Sequence, residues 1–160
     1  MPKPLVLLVP LLLATSFCWG LPAPLDGATI GKLFDEGNFA ALEAIANQAR
    51  ISKDRNSEGD WQLSWFYYCL YPYAEKLAAD SESKFRKHMG AWAEQFPKSI
   101  TWRLVMADGI EQLGWSARGE GWAKDVTEQG WTDLEKRLTE AWKILQDARK
   151  SDARREGTAM

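Results

Sequence analysis

Three sets of residues in this chain are of types that could do chemistry. Asp108 and Glu111 lie in VMADGIEQL, a mostly apolar stretch. Two carboxylates can cleave a glycosidic bond when one is kept protonated as an acid and the other stays ionised. Burial of Asp108 among Val105, Ala107 and Ile110 would raise its pKa and suit it to the acid's role. Arg118 stands between Trp115 and Trp122, three and four residues away. A guanidinium can stack on an indole face while forking to a carboxylate, so this trio could orient an anionic ligand or a partner's terminus. Trp61 and Trp65, like Trp115, Trp122 and Trp131, fall near helix ends or loops. Exposed rings there could form a platform for a peptide or a sugar. Each set also has a structural use. Asp108 could edge a helix, Arg118 could brace its turn through Asp108 or Glu120, and the rings could fill an aromatic core.

Other chemistry is poorly supplied. His88 is the single histidine, and Cys18 and Cys69 are the two cysteines. There is no Cys/His cluster to hold zinc, and KDRNSEGD (53–60) offers oxygens without EF-hand spacing. Cys69, within WFYYCLYPY, reads as a small core residue with no base nearby to activate it. No G-x-S-x-G element and no glycine-rich loop after a strand is present, so neither a Ser-His-Asp hydrolase nor a phosphate cradle is expected. No metal and no cofactor is implied. Twenty basic residues against 22 acidic ones give a net charge of −2, with no excess to neutralise phosphates, so nucleic acid is not expected as a partner.

These residues need a scaffold, and hydrophobic spacing predicts a helical one. Residues 1–20 read as a cleaved signal peptide. Lys3 gives the positive start, Leu5 to Leu13 the apolar run, and Gly20 a small residue for cleavage, with Ala23 as second choice. Lipoprotein processing at Cys18 is the weaker alternative, because bulky Phe17 precedes it. The apolar run is too short to span a bilayer comfortably, and no other segment could cross one. The expected location is therefore periplasmic or secreted, with no integral membrane segment after cleavage. Residues 21–28 form an extended lead-in, 29–150 a single helical domain, and 151–160 a polar, frayed tail.

Within the domain, Ile30, Leu33 and Phe34 mark a helix over 29–36, which Gly37-Asn38 ends before a second over 39–52. The aromatic run 61–71 reads as a buried helix stopped by Pro72, with a strand as runner-up, and 73–79 as a separate turn or short helix. Phe85, Met89, Trp92 and Phe96 stripe a helix over 82–96, with Ser81 as cap. The next runs from a Ser99 cap to Gly114; Gly114, Gly119 and Gly121 loosen the chain between Trp115 and Trp122, and a further short helix is expected over 120–128, which Gly130 ends. Leu134, Leu138, Ala141, Trp142, Leu145 and Ala148 form the stripe of a last helix over 131–150. Along it Asp133–Arg137, Lys136–Glu140 and Lys143–Asp147 are spaced to pair. Trp92, Trp102 and Trp142 are expected in the core. The fold class is all-α, with five to seven helices in stacked antiparallel hairpins.

The Gly37-Asn38-Phe39 junction and AWKILQDA (141–148) are similar to parts of tetratricopeptide repeats, though the full repeat signature is absent. LFDEGNFAALEAIANQAR, Trp61-Gln-Leu, Phe96-Pro-Lys-Ser with Trp102, WSARGEGWA and AWKILQDA together resemble an uncharacterised bacterial helical family, a domain of unknown function of tetratricopeptide-like architecture. The likeness covers most of residues 30–148. It implies an all-helical fold, offers no established activity and carries no catalytic residue over. The function expected is a non-catalytic module that binds a protein or peptide in a groove between hairpins, with Trp61, Trp65, Trp115, Arg118 and Trp122 as its contacts. The alternatives are a small cell-wall or glycan-active hydrolase using Asp108 or Glu111, and a sugar-binding domain built on tryptophans. Nothing in the sequence fixes the oligomeric state.

Overall fold

A computed structural model of the chain describes residues 26–56, 58–119 and 121–156, with side chains to residue 150. The expected signal peptide, most of the lead-in, and Glu120 as a partner for Arg118 lie outside the described residues. Those residues form six α-helices and one short 3₁₀ turn, so the fold is all-α. The helices are α1 (Gly27–Asp35), α2 (Phe39–Ser52), α3 (Gln62–Asp80), α4 (Glu82–Gln95), α5 (Thr101–Arg118) and α6 (Glu128–Glu156).

Local chemistry explains most of the boundaries. The Asp26 carboxylate accepts from the Thr29 N–H at 2.6 Å and caps α1. Asn38 caps α2 through the Ala41 N–H, and Ser81 caps α4 through the Lys84 N–H. Gly37 ends α1 at φ 68°, a left-handed conformation that costs glycine little.

Four sequence expectations are corrected. Pro72 does not stop its helix: α3 is continuous from Gln62 to Asp80. Pro72 is exposed, so the Tyr68 carbonyl that loses its donor can turn to water. Gly114 does not end α5, which runs on to Arg118 and closes at Gly119. A Cβ on Gly114 would lie 3.2 Å from Leu134 Cδ1 and Arg137 Cβ, so this glycine is where α6 comes close. Gly130 belongs to the first turn of α6, and the short helix expected before it is reduced to a 3₁₀ turn, Ala123–Asp125. The expected frayed tail carries α6 on to Glu156.

Named contacts fix the directions of the helices. Gly27 lies against Cys69 and Gly31 against Tyr73, so α1 and α3 advance together. Arg50 of α2 donates to Tyr67 at 2.7 Å and to Thr101 at 2.9 Å, while Asp108 acts electrostatically on Tyr71, so α3 and α5 also advance together. Along α5, Arg118 meets Trp131, Gly114 meets Leu134 and Arg137, and Arg103 feels Asp147, so α6 runs the other way. The expected pairs of Arg137 with Asp133 and of Glu140 with Lys136 are not among the ion pairs of the described residues. Arg137 and Glu140 instead reach across to α4, Arg137 to Glu82 at 3.0 Å and Glu140 to Arg86 at 2.7 Å.

The core lies between these layers. Trp92, Phe34, Phe66, Phe85, Leu42, Leu70, Met89 and Ile110 are fully buried. Phe39 stacks on Trp92 with ring centroids 5.0 Å apart. The Phe85 ring occupies the space a side chain at Gly109 would need: a Cβ there would fall 2.3 Å from Cζ. Trp102 is half-buried and donates from Nε1 to the Phe96 carbonyl at 2.9 Å.

Candidate interaction surface

The five residues expected to bind together are not brought together. Because α3 and α5 run in the same direction, Trp61 and Trp65 at the start of α3 lie toward the start of α5. Trp115 and Arg118 lie at its other end, about 20–27 Å away along an 18-residue helix. Trp61 is covered by Arg55, whose guanidinium sits 4.2 Å from the ring centroid. Trp65 stacks on Tyr68 at 5.4 Å. Both are tied into the surface around α3.

Trp115 and Arg118 belong to a different cluster. The Arg118 guanidinium lies 5.8 Å from the Trp115 ring and 5.0 Å from that of Trp131 on α6. Trp131, and not Trp122, is thus the second ring it reaches, and Trp122 stands 79% exposed on the turn. Nor does Arg118 use Asp108: its η nitrogens approach the Gly119 and Gly121 carbonyls at 3.4 Å each. Its Nε is buried without a hydrogen-bond partner among the described residues. Arg118 therefore holds the start of α6 against the end of α5, with one donor uncommitted.

From this cluster an apolar face runs down α6. The sequence treats Leu134, Leu138, Ala141, Trp142, Leu145 and Ala148 as one buried stripe, but the structure divides it. Leu134, Ala141 and Ala148 are buried toward α5, whereas Trp131, Leu138 and Trp142 are 41%, 37% and 61% exposed. Trp142 is thus corrected from core to surface. With 100° per residue, positions 131, 138 and 142 fall within about 40° of one another and beside the buried seam. A shallow trough follows them, lined by Trp131, Leu134, Glu135, Leu138, Thr139 and Trp142.

Asp108 and Glu111 lie on the same stripe of α5 as Trp115 and Arg118, spaced three, four and three, with Glu75 and Tyr71 of α3 near Asp108. Asp108 is half-buried and its Oδ2 has no hydrogen-bond partner among the described residues. Burial, and after it the charges of Glu75 and Glu111, push its carboxyl up to about 7. Glu111 is exposed and accepts from Trp115 Nε1 at 3.3 Å. The pair therefore does contain one carboxyl held protonated near neutrality and one in solvent. The troughs described in the surface, however, run along α6.

One polar cluster escaped the sequence reading. Glu43 of α2 is buried and accepts from Trp92 Nε1 at 2.9 Å and from Thr101 Oγ1 at 3.2 Å. Arg50, two turns on, donates to Thr101 and Tyr67. The signal was present: Phe39, Glu43, Ala46 and Arg50 are spaced by four, three and four, which places an acid and a base on the apolar face. Every described polar contact in this cluster is made within the protein, so it ties α2, α3, α4 and α5 together.

The remaining candidates are used structurally. Cys69 is buried and free, and burial raises its thiol above the usual range, away from a reactive thiolate. His88 is edge-on to Phe34 and Phe39, and burial pushes its pKa down. In the 53–60 loop, Asn56 Oδ1 accepts from the Glu58 and Asp60 N–H groups. No group of acidic, His or Cys side chains among the described residues could hold a metal ion. Compared with known protein families, curated proteins and solved structures, the chain matches none of them.

Proposed function

We propose that this chain is an exported, non-catalytic interaction module that binds a protein or peptide partner along α6. The observation that carries the reading is the exposed run of Trp131, Leu138 and Trp142, continuous with Trp115 and the Arg118 brace. Large rings on a rigid helix lose little entropy when covered, and tryptophan and arginine recur as the residues that dominate binding. Arg118 lies between the Trp115 and Trp131 rings and ties the start of this surface to the end of α5. The partner's apolar side chains would cover the Trp131–Trp142 run, and an acceptor on the partner would meet Arg118.

The scaffold of this reading is a stack of antiparallel helical hairpins of tetratricopeptide-like kind, α1 with α2, α3 with α4 and α5 with α6. Supporting it, α1, α3 and α5 advance in one direction and α6 opposes α5. The likeness to the uncharacterised bacterial helical family belongs to the same proposal. Export rests on Lys3 and the apolar run after it. No described helix is long and apolar enough to cross a membrane.

The test is an aromatic photo-crosslinking amino acid, benzoylphenylalanine, which keeps a large ring at position 142, introduced in cells, with the same residue at Lys32 on the polar outer side of α1 as control. A discrete adduct from position 142 and none from position 32 is the expected result. No adduct from position 142, or the same adducts from both, would overturn the reading. The glycan-active alternative keeps one favouring observation, the Asp108 carboxyl held up to about 7 beside an ionisable Glu111. It requires peptidoglycan or another glycan to be cleaved by the wild type and left intact by Asp108→Asn.

A further inference from the structure

We propose that the partner which covers α6 is a second copy of this chain, docked antiparallel through α6 about a two-fold axis at Leu138. The inference rests on the reading of α6 as an interaction surface and names its occupant.

The first ground is the spacing of the outer face, which is exposed except at Leu145, half-buried against the core. Glu128, Trp131, Glu135, Leu138, Trp142, Leu145 and Arg149 follow one another at intervals of three, four, three, four, three and four. That is the heptad period of a helix that pairs with another helix along a seam. It lies one position to the side of the seam that α6 already uses against α5, namely Leu134, Ala141 and Ala148. α6 therefore carries two apolar seams, one filled within the chain and one open. The open seam spans 21 residues, roughly 32 Å of helix.

The second ground is charge. The seam begins at exposed Glu128 and ends at exposed Arg149, with apolar residues at most positions between. When two copies of α6 are laid antiparallel with Leu138 on the axis, Glu128 of one meets Arg149 of the second copy at both ends. Trp131 meets Leu145 of the second copy, and the Glu135 stem lies beside its Trp142. A parallel pairing would set Glu128 against Glu128 and Arg149 against Arg149, which like charges disfavour. The seam is thus complementary to its own reverse, as an isologous interface requires.

The third ground is the opposite end of the molecule. Ala28, Thr29, Lys32, Asp35 and Glu36 are the exposed positions of α1 and its cap, and they are mostly polar. Head-to-tail addition of α6 onto α1 would set Lys32, Asp35 and Glu36 against the tryptophans, where the two-fold pairing sets only the Glu135 stem there, so open-ended stacking is disfavoured. One end of the chain is capped and the other is not, which suits a closed dimer.

Sedimentation equilibrium on the chain beginning at residue 21 tests this directly. The wild type is expected to dimerise and Leu138→Asp to be monomeric with unchanged helical circular dichroism. Glu128→Arg and Arg149→Glu should each weaken the dimer, by about tenfold for two facing pairs, and the double exchange should restore it. A wild type that stays monomeric to about 100 µM overturns the dimer, as does one that neither exchange weakens. If that monomer still gives a discrete adduct from position 142 with a different protein, the dimer falls and the interaction-module reading stands. If it gives no adduct, both fall.

Discussion

Buried Glu43 and half-buried Asp108 show how differently two acids can be used. Glu43 has donors on both oxygens, so its removal leaves the Trp92 N–H and the Thr101 hydroxyl unpaired in the core. Glu43→Ala is expected to cost about 2–4 kcal/mol in urea unfolding, and Glu43→Gln less, because the amide oxygen still accepts one bond. Equal losses would mean that packing and not hydrogen bonding sets the cost. Asp108 has the opposite problem, a buried oxygen without a donor. Its carboxyl titrates at about 7 in the fold against 3.8 when free. Between those values the native state holds a proton that the unfolded state has released, so stability falls as pH rises through the window. His88, depressed by burial, acts with the reverse sign and costs stability as pH falls below its free value of 6.5. Asp108→Asn isolates the first effect. Between pH 5 and pH 8 the wild type should lose more stability than the variant, and parallel curves would show that Asp108 ionises as freely folded as unfolded.

At the scale of elements, glycine sets how closely the helices approach. Gly109 lies under the Phe85 ring, which is itself fully buried and has no room to turn away. Gly109→Ala is expected to destabilise by about 1–3 kcal/mol, despite alanine's better helix propensity. A gain in melting temperature would show that α4 and α5 can separate without loss. The same reasoning explains why Gly114 and Gly130 look like helix ends in the sequence. A glycine placed for close approach looks like a glycine placed for a turn until the neighbouring helix is seen. Pro72 misled in the same way, because its missing N–H matters only if the facing carbonyl is denied water.

For the molecule as a whole, the question is whether the α6 face serves folding or binding. Trp142 is 61% exposed, so Trp142→Ser, compared with wild type at a concentration where both are monomeric, should cost no more than about 1 kcal/mol of unfolding free energy while removing self-association at higher concentration. A loss of several kcal/mol would place that ring in the fold after all and remove it from the interface. The contrast with Trp92 is instructive. Trp92 is fully buried, stacked on Phe39 and bonded to Glu43, and no surface role is open to it. Both tryptophans sit on apolar stripes of amphipathic helices in the sequence.

The all-α class, the span of α2, the start of α4 and the caps at Asn38 and Ser81 are legible in the sequence, because they depend on periodicity and on contacts three residues away. Arg118 and Trp115 are also legible there as a unit, since stacking within one helix turn is local. Only the tertiary structure decided which rings became core. Leu138 and Trp142 share the apolar stripe of α6, but α5 is one helix wide and covers only the side that carries Leu134, Ala141 and Ala148. Likewise Glu43 and Arg50 became interior only because Tyr67, Trp92 and Thr101 arrive from three other helices to satisfy them. Periodicity says which face of a helix is apolar. How much of that face is covered depends on the width and angle of the neighbour, which no single helix encodes.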